Sequence, residues 1–301
     1  MINRFLAALL LAANLFGLPA SADAADKVKA VTSFSILGDM VKQVGGDRID
    51  LVTLVGPDGD AHVFEPTPAD ANTLANGQIL FVNGLGFEGW MERLEKSSGF
   101  KGKVVVASEG VSPRTMTEDE NGKAEEIPDP HAWQSLANGK LYVANIRDGL
   151  IAVDPDGKEI YEANAAKYLD EIAAEDDAVK AALAKLPEDR RKIITSHDAF
   201  GYFGAAYGLE VIAPEGVSTE AEASAKDVAK IIRQIRADHI PAVFMENISD
   251  HRLLDQIARE TGAKIGGTLY TDALSGPDGR APTYLDMFRN NVGALTAALS
   301  S

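Results

Sequence analysis

From Lys27 onward the chain alternates short apolar runs with longer stretches in which apolar residues recur every three or four positions. KVKAVTSF, DLVTLVG, QILFVNG and KVVVASEG belong to the first kind and read as strands; ILGDMVKQVGG, PADANTLANG and FEGWMERLEKSSG belong to the second and read as helices. Strands that alternate with helices predict a mainly parallel sheet, because each parallel pairing needs a crossover long enough to hold a helix. The same grammar returns in RKIITSHDAF, LEVIAPEG, SAKDVAKIIRQIRADHI, PAVFMENIS, LLDQIARETG, AKIGGTLYTDA and TYLDMFRNNVGALTAAL, so a second lobe of the same kind is expected.

Between the two, apolar side chains at Tyr161, Ala165, Tyr168, Ile172, Val179, Leu183 and Leu186 follow spacings of three, four and seven. That pattern predicts one amphipathic helix introduced by Asp154 and Pro155, running to Leu186 and spanning about 45 Å at 1.5 Å per residue. The predicted fold is therefore α/β: two (β/α)4-type lobes with mainly parallel sheets, residues 25–153 and 187–301, joined by one long rigid helix over 154–186, with a site in the cleft between them. One segment breaks the rhythm. TEDENGKAEEIPD, residues 117–129, is acidic and nearly devoid of apolar groups, and reads as an exposed, mobile loop.

The first residues change the picture of where the protein works. Arg4, an apolar stretch from Phe5 to Leu18 and the small residues of ASADA predict a cleavable secretory signal over residues 1–24, hence a periplasmic protein. Exported proteins are often cross-linked, yet none of the 301 residues is cysteine, so stability must come from core size. The same absence predicts a protein with no lipid anchor. With 45 acidic against 29 basic residues, the formal charge of −16 repels nucleic acid and anionic membranes.

Candidate chemistry comes from the histidines at positions 62, 131, 197, 239 and 251. His62 lies in PDGDAHVFEPTPAD after the second strand, His131 in PDPHAWQS past the acidic segment, and His197 at the end of IITSH. Ligands of open α/β sheets bind beyond the carboxyl ends of the strands, so these three can share one crevice, whereas His239 and His251 lack that placement. A carboxylate would complete the set: Asp272 in TLYTDALS, with Glu246 in VFMENIS as its main competitor and Asp198 a weaker one. Three imidazoles and one carboxylate, without thiolates, suit a borderline divalent cation. The literal GxGxxG of GLGFEG, residues 84–89, is not read as a nucleotide site, because it follows the third strand and Glu88 would stand where a pyrophosphate should sit.

TSFSILGDMVKQVGGD, DAHVFEPTPAD, FVNGLGFEGW, DPHAWQS, TSHDAFGYFGAAYGL, VFMENISD and TDALSGP, taken in order, resemble the zinc- and manganese-binding solute-binding proteins of bacterial ABC importers, the cluster A-I group. The resemblance implies two lobes around a metal ion, with His62, His131, His197 and Asp272 as its ligands, no catalytic residues and no enzymatic activity. It implies a monomer that passes its ion to a membrane permease, with a periplasmic metallochaperone as a further partner. Histidine at the third position resembles the zinc binders, glutamate there being common in manganese members, so Zn2+ is expected and Mn2+ is the alternative. Many zinc members carry a histidine-rich loop before the second ligand; here that segment holds six acidic residues and no histidine. A secreted zinc hydrolase, with Glu246 or Glu65 as general base and one coordination position open, is the rival reading.

Overall fold

A computed structural model describes residues 26–300, except residues 121, 122, 217 and 220–222. The signal-peptide expectation over residues 1–24 lies outside the described residues.

The first lobe runs β1 (Val28–Phe34), α1 (Ser35–Gly45), β2 (Ile49–Val55), α2 (Pro68–Ala75), β3 (Ile79–Val82), α3 (Met91–Ser98) and β4 (Lys103–Val106), and its strands pair in parallel in the order β2-β1-β3-β4. β5 (Thr115–Glu120) and β6 (Lys123–Pro128) form a separate two-stranded antiparallel ribbon. The acidic segment is thus paired over most of its length rather than an irregular loop. Backbone hydrogen bonding across the ribbon proceeds whatever the side chains, so a lack of apolar alternation did not reveal it.

After the ribbon come α4 (Leu136–Val153) and α5 (Lys158–Leu183). The second lobe then runs β7 (Lys192–Ile194), α6 (Gly201–Tyr207), β8 (Glu210–Ile212), α7 (Ala225–Asp238), β9 (Ala242–Glu246), α8 (Arg252–Thr261), β10 (Lys264–Leu269) and α9 (Tyr284–Leu299). Its parallel order, β10-β9-β7-β8, is the first lobe's order read from the other edge. In each lobe the chain turns back between its first and third strands, which is where such sheets open a crevice.

α5 has 26 residues, about 39 Å at 1.5 Å per residue. It buries Tyr161, Ala165, Tyr168, Ile172, Val179 and Leu183, the stripe its spacing predicts. It lies against α1 and α4 on one side and α6 and α9 on the other. Its first turn is anchored by Asp154, whose carboxylate accepts from Arg48 Nε at 2.8 Å, Arg48 Nη2 at 2.9 Å and the Tyr161 hydroxyl at 2.6 Å. One apolar cluster takes in Phe34 and Phe81 of the first lobe, Tyr168 and Ile172 of α5, and Phe244, Phe288 and Leu295 of the second. A core shared in this way makes the lobes resist hinging, since closely packed interiors transmit strain rather than absorb it.

Candidate metal site

All four residues expected from the sequence stand where the two lobes meet, and each is delivered by a turn beyond a strand. His62 sits in the turn between β2 and α2, His131 directly after β6, His197 just past β7 and Asp272 just past β10. His131, His197 and Asp272 are fully shielded from solvent, and His62 is 8% exposed. One ligand atom from each lies within 4.8 Å of every other.

The spacings within this cluster are what a small cation requires. His62 Nε2 is 3.3 Å from His131 Nε2 and 3.3 Å from Asp272 Oδ2; His197 Nε2 is 3.0 Å from Asp272 Oδ2, and His131 Nε2 is 3.7 Å from Asp272 Oδ1. A tetrahedral shell with bonds of about 2.0–2.1 Å has edges of roughly 3.3–3.4 Å, which these distances straddle. His197 Nε2 and both Asp272 oxygens are buried with no hydrogen-bond partner. Buried polar atoms are seldom left unpaired, so three such atoms converging on one point mark a place for a cation.

The surroundings fix how two imidazoles present themselves. His131 Nδ1 lies 2.9 Å from Asp129 Oδ1, which also accepts from the His131 backbone N–H at 3.0 Å. Glu246 Oε2 accepts from His197 Nδ1, while its Oε1 accepts from the backbone N–H groups of Ser196 at 2.7 Å and His197 at 3.1 Å. An ionised carboxylate only accepts, so each holds a proton on Nδ1 and leaves Nε2 as the atom that faces the cluster and binds once it is deprotonated. Glu246, the sequence competitor of Asp272, is therefore a support for His197 rather than a member of the quartet. Asp198 turns away: it lines a cavity of about 390 Å3 with Arg114 and Phe200, and burial pushes its carboxyl up.

The turns themselves are held both within the first lobe and across the two lobes. Trp90 Nε1 donates to Ala61 O at 2.7 Å, and Phe87 meets the His62 ring edge-on at 4.8 Å between centroids. Trp133 Nε1 and Gln134 Nε2 both donate to Thr271 O, at 2.9 and 2.8 Å, fixing the approach of Asp272. Asp129 was missed by the sequence reading, although its position two residues before His131 is a signal that could have found it. His239 caps the C-terminus of α7 in a left-handed conformation, and His251 Nε2 lies 3.3 Å from Glu246 O, so neither reaches the cluster.

Burial and charge act against one another here. Burial alone would depress the His197 imidazole, but the Glu246 and Asp272 carboxylates beside it raise it well above its ordinary value. Burial would likewise raise Asp272, yet His197 and His131 hold it well below the usual carboxylate range. Burial lowers His62, against the pull of Asp272. The neighbouring carboxylates thus favour an extra proton on His197 in the ion-free site, and a cation would compete with that proton.

In GLGFEG the Glu88 carboxylate accepts from the backbone N–H groups of Asn83 at 2.6 Å and Gly84 at 3.1 Å, and from Ser33 Oγ at 2.6 Å. The donors that a phosphate would need are thus already taken. For a hydrolase, Glu246 is committed to His197 and Glu65 is exposed beside a surface groove with Pro66 and Arg93. Neither is placed as a general base.

The family model described as zinc-uptake complex component A, periplasmic, matches residues 30–298. The chain is 33% identical over 273 residues to a manganese-binding lipoprotein, MntA, of Halalkalibacterium halodurans, covering 91% of this chain and 89% of that one. It is 33% identical over 273 residues to the iron-binding protein YfeA of Yersinia pestis, covering 91% and 86%. Among solved structures, the periplasmic zinc-binding protein TroA of Treponema pallidum superposes with a TM-score of 0.84 at 30% identity, covering 91% of this chain and 99% of that one. The expectation of a receptor without a lipid anchor departs from the first of these names; the present chain itself contains no cysteine.

Proposed function

The chain belongs to the zinc-uptake complex component A family, and on that premise we propose that it is a periplasmic receptor whose cargo is Zn2+, held by His62, His131, His197 and Asp272. It is a metal-binding, substrate-binding component of an ABC importer and not an enzyme. The observation that carries the reading is the convergence of three imidazole nitrogens and a carboxylate, all buried, with His197 Nε2 and both Asp272 oxygens lacking any other partner. Four protein donors close the shell, which suits carrying an ion rather than activating water on it.

Zinc is supported by the donors. Three neutral imidazoles and one carboxylate at near-tetrahedral spacing suit Zn2+ better than the harder Mn2+, which favours oxygen donors. Manganese is the second reading, favoured by a relative named for that metal and by the two free oxygens of Asp272, either or both of which can bind. The ion would pass to the membrane permease of the importer, while a metallochaperone has no support in these likenesses.

Competition titration of the metal-free protein with Zn2+ and Mn2+ tests the choice. Zinc should bind one ion per chain and displace manganese; manganese displacing zinc at equal concentration would overturn the preference and leave the receptor reading standing.

A further inference from the structure

Three of the four candidate ligands sit on turns held within the buried core, but the turn that carries His62 is tied to the second lobe by contacts near the surface. Asn247, directly after Glu246 at the end of β9, makes the central tie. Its Nδ2 donates to Asp58 Oδ1 at 2.9 Å and to Ala273 O at 3.2 Å, so one amide spans the turn that leads into His62 and the turn that carries Asp272. Both partners are acceptors, which fixes the orientation of the amide. Asp58 is itself in a left-handed conformation, φ 54°, and its backbone N–H donates to Leu274 O at 2.8 Å.

Asp60 makes a second tie. Its Oδ1 accepts from the His62 backbone N–H at 2.9 Å and its Oδ2 from Thr219 Oγ1 at 2.6 Å, joining the start of the His62 turn to the opposite lobe. A cavity of about 540 Å3, lined by Asp60, Thr219 and Asp250, adjoins this seam. His62 is the one member of the quartet with any solvent exposure. On the far side, Trp90 keeps Ala61 with the first lobe, so releasing the seam would draw His62 away from Asp272 rather than carry it along.

We propose that Asn247 is a positioning residue that latches the His62 turn to the Asp272 turn and thereby sets the rate at which the bound ion leaves. This rests on the receptor reading above. Glu246 and Asn247 then divide the work at the end of β9: the first aims His197, and the second holds two further ligand turns together. A latch of partly exposed hydrogen bonds can open without unfolding the core.

The test is a chelator chase on the zinc-loaded full-length protein, following zinc release by stopped flow. Asn247→Ala removes the tie, and Asn247→Asp sets two carboxylates against each other. Both should release zinc about tenfold faster, as expected for losing hydrogen bonds of this class. The exchange Asp58→Asn with Asn247→Asp restores a donor facing an acceptor at that contact, though not at Ala273 O, and should recover part of the slow release, which a merely structural defect would not. Wild-type release rates in both single variants, or a double variant no slower than Asn247→Asp, would overturn the latch. Should Asn247→Asp fail to fold, Asp58→Gly, which removes the acceptor and tolerates the left-handed turn, carries the same test. A wild-type protein that takes up neither zinc nor manganese would sink the receptor reading and the latch together; one that loads zinc normally but releases it independently of Asn247 would sink the latch alone.

Discussion

Replacing Glu246 by Gln changes one atom beneath His197 and nothing that touches the ion. The buried carboxylate accepts from Ser196 N–H, His197 N–H and His197 Nδ1, and from Thr271 Oγ1 at 3.3 Å. A glutamine can keep its one oxygen on the two backbone donors, but its NH2 must then face Nδ1. Two donors cannot share that contact, so the imidazole moves its proton to Nε2 and loses the lone pair that points at Asp272. To bind, the ring must return to the Nδ1–H form against the amide, forgoing a charge-assisted hydrogen bond of about 1.5–3 kcal/mol. That corresponds to roughly 10–100-fold in affinity, the range typical for the partner of a metal-bound histidine. Competition against a chromophoric chelator measures it, with a thermal melt of the metal-free variant to show that it folds. An affinity within about twofold of wild type would refute the argument that Glu246 sets the tautomer.

Acidity should weaken binding. The carboxylates around His197 hold a proton on it in the ion-free protein, and that proton must leave when the metal arrives, so affinity falls as pH drops. Because the imidazole is raised, the fall should begin above its ordinary value of about 6.5. Titrations in buffers of different ionisation enthalpy should show at least one proton released per ion; flat affinity between about pH 8 and 5.5 would contradict it. His197→Glu exchanges an imidazole for a harder oxygen donor and should lower the ratio of zinc to manganese affinity. The same change sets a second carboxylate against Glu246 in the ion-free site, which should lower its melting temperature. An unchanged affinity ratio would count against the donor argument.

Much of this was legible in the sequence because period and position carry physical meaning. The stripe from Tyr161 to Leu183 has the period of a helix's buried face, and histidines placed after strands can gather beyond the sheet's carboxyl edge. α4 was not read, although Leu136, Tyr142, Val143, Ile146 and Leu150 carry helical spacing. Its glycines look like turn signals, yet Gly139 serves close packing: a Cβ there would lie 2.7 Å from the Tyr284 hydroxyl. The predicted helix over 154–186 is shorter at both ends, since Pro155–Gly157 forms a single tight turn before Lys158. What no pattern could show is who meets whom at long range. Glu246 and His197 are 49 positions apart and Asn247 and Asp58 are 189 apart, and only the fold turns these into a ligand support and a latch.

The central claim is that three imidazoles and one carboxylate of this chain enclose the cargo ion. X-ray absorption at the zinc edge of the loaded protein reads that shell directly. The loaded protein should hold one ion per chain, bound by three imidazole nitrogens and carboxylate oxygen at about 2.0–2.2 Å. A six-coordinate shell dominated by water oxygen, with one imidazole or none, would contradict it.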